Sequence, residues 1–69
     1  MTPEELKQRR RGLGLTQARL AAALAVHQPN LAAWESGAVR ITHMRAAWLE
    51  RELGRLEAGR SAEAVQAGA

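Results

Sequence analysis

The chain of 69 residues has no cysteine, so no disulfide can staple it. Its two histidines, His27 and His43, are isolated from one another and from any cluster of acids, so no metal site and no cofactor are expected. A domain of this size buries only roughly 60% of the surface its unfolded chain exposes. The missing stability must come from helix packing or self-association, and a homodimer is the expectation. Long apolar runs are absent as well: none approaches the roughly 20 residues that span a bilayer, and the N-terminus lacks the order of a secretory signal. The chain reads as cytoplasmic with no membrane partner, which the missing cysteine fits. Catalytic groupings are lacking too. No carboxylate dyad occurs, Ser36 and Ser61 have no base and orienting acid, and Gly12-x-Gly14 follows a helix instead of a strand. The expectation is a protein that is not an enzyme.

What is present is alanine, apolar residues at helical spacings, and an excess of base over acid. Ten Lys and Arg against seven Asp and Glu give a formal charge of +3, which favours a polyanionic partner. Few residues are β-branched and no stretch alternates, so the fold class is all-α, a compact bundle of four to five helices.

The caps divide the chain. Thr2-Pro3-Glu4-Glu5 starts a helix that runs to about Arg11, with Leu6 and Leu13 inward and Arg9, Arg10 and Arg11 at its negative end. Thr16 caps a second helix over Gln17 to Leu24, whose inward residues are Leu20, Ala21 and Leu24. Ala25 and Val26 make the connection to a third helix from Gln28 to about Ser36. Pro29 must lie in its first turn, where the amides have no internal bond to lose, and Gly37 supplies a left-handed end. Thr42 caps a fourth helix reaching about Glu57, with Ile41, Met44, Trp48, Leu49, Leu53 and Leu56 along one stripe. Residues 1–58 form the domain and 59–69 a flexible tail that frays from about Ser61.

Two short helices joined by a turn of three or four residues pack steeply only where the contact is small in one place and branched in another. Ala21 at the closest approach, Leu20 and Leu24 behind it, Val26 in the turn, and Leu31 with Trp34 on the third helix meet that demand. At these residues LTQARLAAALAVHQPNLAAWESG resembles the helix-turn-helix of the Cro and phage-repressor family, the xenobiotic-response-element class of regulators. The resemblance runs from residue 4 to about 53, and its strongest tokens are Leu15-Thr16-Gln17, Leu20-Ala21, Leu24, Val26, Leu31 and Trp34-Glu35-x-Gly37. It implies a lambda-repressor-like fold, usually dimeric, that places the third helix in the major groove of double-stranded DNA and the start of the second over a phosphate. It also implies an ion pair between Arg10 and Glu35. Three residues depart from the family pattern: Ala25 stands for the usual turn glycine, His27 for a Ser or Thr cap, and Pro29 occupies the second position of the third helix.

With Leu31 and Trp34 inward, 100° per residue turns Pro29, Ala32, Ala33 and Ser36 outward and leaves Gln28 and Asn30 at the edges. Amide side chains can pair a donor and an acceptor with adenine, and alanine methyls pack on thymine. Gln28, Pro29, Asn30 and Ala33 are therefore the expected base contacts. Gln17, Arg19, Ser36, Arg40 and His43 are the expected phosphate contacts. Trp48, Leu49, Leu53 and Leu56 either finish the monomer core or line a dimer interface. The functional expectation is a transcriptional regulator that dimerises on a pseudo-palindromic operator and represses by occupying it. A phage or mobile-element regulator fits, controlled by its own concentration, a partner or turnover. The alternative is a protein-interaction module or an antitoxin-like partner that keeps the fold but grips a protein, since the recognition face is unusually rich in alanine.

Overall fold

Three threonines set the helix starts. In the computed structural model, which describes the backbone of residues 1–68 and the side chains of residues 1–60, the Thr2 hydroxyl accepts from the Glu5 amide at 3.1 Å. Thr16 does the same for Arg19 at 3.1 Å and Thr42 for Arg45 at 3.1 Å. Each supplies a partner to an amide that the helix cannot satisfy internally. The elements are α1 (Pro3–Gly12), α2 (Gln17–Leu24), α3 (Gln28–Ser36) and α4 (His43–Gly68). All four are helices, as the periodicity predicts. α4 extends well beyond the expected end at Glu57, because Gly59 does not interrupt it and the alanines that follow are strong helix formers. Of the expected flexible tail, the side chains from Ser61 and the whole of Ala69 lie outside the described residues.

The core is Leu6, Leu13, Leu20, Ala21, Leu24, Leu31, Trp34, Leu49 and Leu53, with Leu15, Val26, Ile41, Trp48 and Leu56 packed around it. α1, α2 and α3 contribute the residues that their spacing assigns, and α4 contributes Leu49 and Leu53. Leu6, Leu20, Leu31, Leu49 and Leu53 are fully buried, and each such side chain stabilises the folded chain by roughly 1.5–3 kcal/mol. Ala21 is buried at the α2/α3 contact, where its single methyl lets the two backbones approach.

The turn between α2 and α3 is closed by paired bonds, Val26 amide to Ala21 carbonyl at 2.9 Å and Ala25 amide to Ala22 carbonyl at 3.2 Å. This arrangement demands a left-handed residue between them. Ala25 adopts it, with φ 57° and ψ 40°, although its Cβ then crowds the carbonyl that follows, a penalty of about 1–2 kcal/mol. Ala25 holds a conformation that suits glycine, and the penalty is carried in the folded state. Ala25→Gly is therefore expected to stabilise the chain by about 0.5–1 kcal/mol, after the greater unfolded-state freedom of glycine is subtracted. A rise of a few degrees in the thermal midpoint is the readout, and an unchanged or lower midpoint refutes it.

α1 is fastened to α4 by charge. The Arg9 guanidinium donates to the Glu57 carboxylate at 3.0 and 2.7 Å and also bonds Glu50. The hydrogen bond from Arg9 is the main reason the Glu57 carboxyl is held below the ordinary carboxylate range. Arg60 adds a bond to the Leu13 carbonyl at the end of α1. The arginine run that ends α1 thus has more to do than complement a dipole: Arg9 faces α4, Arg10 faces α3, and only Arg11 is left exposed. On α4 itself Glu52 and Arg55, three residues apart on the helix, pair at 2.9 Å.

Candidate nucleic-acid interface

α3 divides into two flanks. Leu31, Trp34 and Glu35 are buried on one, while Gln28, Pro29, Asn30 and Ser36 are exposed on the other. A carboxylate on the buried flank requires partners, and Glu35, whose side chain is 1% exposed, has three donors. Arg10 of α1 approaches in a fork, Nε to Oε2 at 2.7 Å and Nη2 to Oε1 at 3.1 Å. Gln17 at the start of α2 donates from Nε2 to Oε1 at 3.2 Å. The remaining Arg10 nitrogen, Nη1, donates to the Leu15 carbonyl at 2.9 Å. Three helices therefore meet on one carboxylate, Arg10 also ties in the loop between α1 and α2, and the ion pair implied by the resemblance is present in bidentate form.

The outer flank is reached differently by each expected contact residue. Gln28, Pro29 and Asn30 are open to solvent at the first turn of α3. His27 gives that turn no side-chain cap, although the Asn30 amide bonds the His27 carbonyl at 2.9 Å. Ala33 is only half exposed, because the loop after Gly37 folds back and the Val39 amide bonds the Ala33 carbonyl at 3.2 Å. Ser36 is exposed, yet its hydroxyl already donates to the Ala33 carbonyl and accepts from the Ala38 amide, both at 3.2 Å. Gln17 is half-buried with one N–H committed to Glu35, so it braces α3 as well as bordering the interface. Arg19, Arg40 and His43 are exposed, and neither arginine has an ion-pair partner among the described residues.

The α4 stripe needs correction. Leu49 and Leu53 have no exposed surface in the single chain, so they belong to its own core and cannot line a dimer interface. They share one core with Leu31 and Leu6, whereas Trp48 and Leu56, half-buried, pack against it. Outward from Trp48, an open depression is lined by Thr42, Met44, Arg45 and Arg51, and Met44 is 85% exposed. Periodicity alone puts Met44 inward; it lies on the solvent side in the first turn of α4.

One arrangement has no counterpart in the sequence reading. The Arg45 guanidinium carbon sits 5.0 Å from the ring centroid of Trp34 and 5.0 Å from that of Trp48, joining α3 to α4. The spacing of Arg45 and Trp48, three residues apart on one helix, announces half of it. Nothing local to the sequence brings Trp34 to the other side.

The described residues contain no helix long and apolar enough to cross a membrane. No curated protein and no solved structure matches the chain. A family model described as helix-turn-helix matches residues 6–54, a span that starts at the buried Leu6 and takes in α2, the left-handed turn at Ala25, α3 and the buried part of α4. The chain belongs to the helix-turn-helix family of the Cro and phage-repressor type, and is a DNA-binding regulator.

Proposed function

We propose that the protein is a cytoplasmic repressor that binds a pseudo-palindromic operator as a homodimer and acts by occupying it. The observation that carries this reading is the exposure of Gln28, Pro29 and Asn30 on the flank of α3 opposite Leu31, Trp34 and Glu35. These side chains carry amides and an apolar ring in place of charge. A binder of phosphate alone would present Lys and Arg there, whereas uncharged amides suit the donor and acceptor pattern of base edges. In this reading Gln28, Pro29, Asn30 and the half-exposed Ala33 face the bases. Arg19, Arg40 and His43, with the spare amide atoms of Gln17, flank the phosphates. Ser36 serves the phosphate side by turning its hydroxyl hydrogen from the Ala33 carbonyl to a phosphate oxygen.

Dimerisation is assigned to the margin of α4, where Trp48 and Leu56 are half-buried and Met44 protrudes. The same exposed methionine favours the second reading, in which this face grips another protein and the chain serves as an antitoxin-like partner. Enrichment of the full chain on random duplexes followed by footprinting separates the two. Two protected half-sites centred about 34 Å apart, one turn of the double helix, are the expected result. Failure to enrich any sequence would overturn the operator reading and leave the protein-partner reading standing. Because few cations flank α3, the logarithm of affinity should fall with salt by only a handful of released counterions per dimer.

A further inference from the structure

We infer that Arg45 is a positioning residue for α3, a wedge between Trp34 and Trp48 that sets the pitch at which the outer flank of α3 is presented; the inference rests on the DNA-binding reading above. Trp34 belongs to α3 and Trp48 to α4, and the guanidinium stands equally far from both rings, 5.0 Å from each centroid. Arg45 makes no ion pair among the described residues. It also occupies the first turn of α4, which holds no acid, so the helix field opposes its charge. The faces of two indoles are what offset that field, since a ring quadrupole attracts a cation above its plane.

The backbone holds the wedge in place. The Arg45 amide is bonded to the Thr42 hydroxyl at 3.1 Å, which fixes the root of the side chain at the start of α4. At the other end, Trp34 is 7% exposed and cannot swing away without opening the core. Movement at Trp34 is felt at Gln28, six residues earlier on the same rigid helix and about 9 Å along its axis. Bidentate pairing with a base edge tolerates only a few tenths of an ångström. A planar guanidinium can lie flat between two rings, whereas an ammonium is a point charge on a flexible stem, so lysine replaces arginine only in part.

The test compares the full chain with Arg45→Met, which keeps bulk but not charge, and Arg45→Lys, which keeps charge but not the plane. Each is titrated on the enriched duplex and on a scrambled one at several salt concentrations. The expected result is that Arg45→Met keeps its helicity and salt slope but loses about tenfold in the ratio between the two duplexes, of the order of one good cation–π pair. Arg45→Lys should recover part of that ratio. Equal losses on both duplexes, with the salt slope reduced by about one, would make Arg45 a phosphate contact and overturn the inference. So would an unchanged ratio. Should the unaltered chain not discriminate between duplexes, the DNA reading fails by itself, and amide exchange decides the wedge: faster exchange in α3 than in α2 on Arg45→Met supports it, and unchanged exchange refutes it.

Discussion

Glu35→Ala is expected to remove most of the stability of the fold, about 3–5 kcal/mol, the usual consequence of breaking a buried ion pair from one side. The substitution leaves the Arg10 guanidinium, whose side chain is only 12% exposed, with the Leu15 carbonyl as its remaining acceptor. It also strands the Gln17 amide, which donates to the same carboxylate. A domain of this size holds roughly 0.05–0.15 kcal/mol per residue, about 3–10 kcal/mol in total, so the variant should stand much closer to its unfolding midpoint than the unaltered chain. The converse experiment separates net stabilisation from mutual dependence. Arg10→Met combined with Glu35→Leu removes both charges and fills the space, and should recover much of the lost stability, because two uncompensated groups are exchanged for apolar packing. Urea melts of Arg10→Met, of Glu35→Leu and of the double variant give the coupling. If Glu35→Ala unfolds at the same urea concentration as the unaltered chain, the carboxylate does not organise the junction of α1, α2 and α3.

The second large effect is on binding. Gln28→Ala combined with Asn30→Ala should weaken operator affinity by about 1–3 kcal/mol for each bidentate base pairing removed, which brings the chain towards its non-specific level. Folding is untouched in this experiment, since both side chains are exposed and alanine is the better helix former at either position. Because neither residue is charged, affinity for scrambled DNA and its salt dependence should stay the same. Gel shift on the enriched duplex, with circular dichroism alongside, provides the measurement. Undiminished operator binding by the double variant would remove Gln28 and Asn30 from base recognition and shift that role to other residues of the interface.

Those two experiments mark the difference between what local sequence encodes and what it does not. The helix starts are legible because a threonine cap acts within three residues of itself, and the buried flank of α3 because period alone places Leu31 and Trp34 together. The Arg10 to Glu35 pair is accessible only through family resemblance; spacing along the chain does not bring α1 to α3. Position at the start of α2 is what suggests Gln17 as a phosphate contact, but its tie to Glu35 depends on where α3 lies. Likewise the α4 stripe mixes residues that meet different surroundings: Leu49 and Leu53 are buried in the core, whereas Met44 is exposed. Periodicity identifies a face but not how far its cover extends. The length of α4 is hidden for a related reason, because a single glycine is a weak stop when alanine follows.

The separation of the two flanks of α3 has a bearing on descent. Positions 28, 29 and 30 contribute nothing to the buried set formed by Leu31, Trp34 and Glu35, so change at the former need not disturb the latter. On the proposed reading, in which these three face the bases, a lineage can thus acquire a different target by successive replacements without passing through an ancestor that fails to fold.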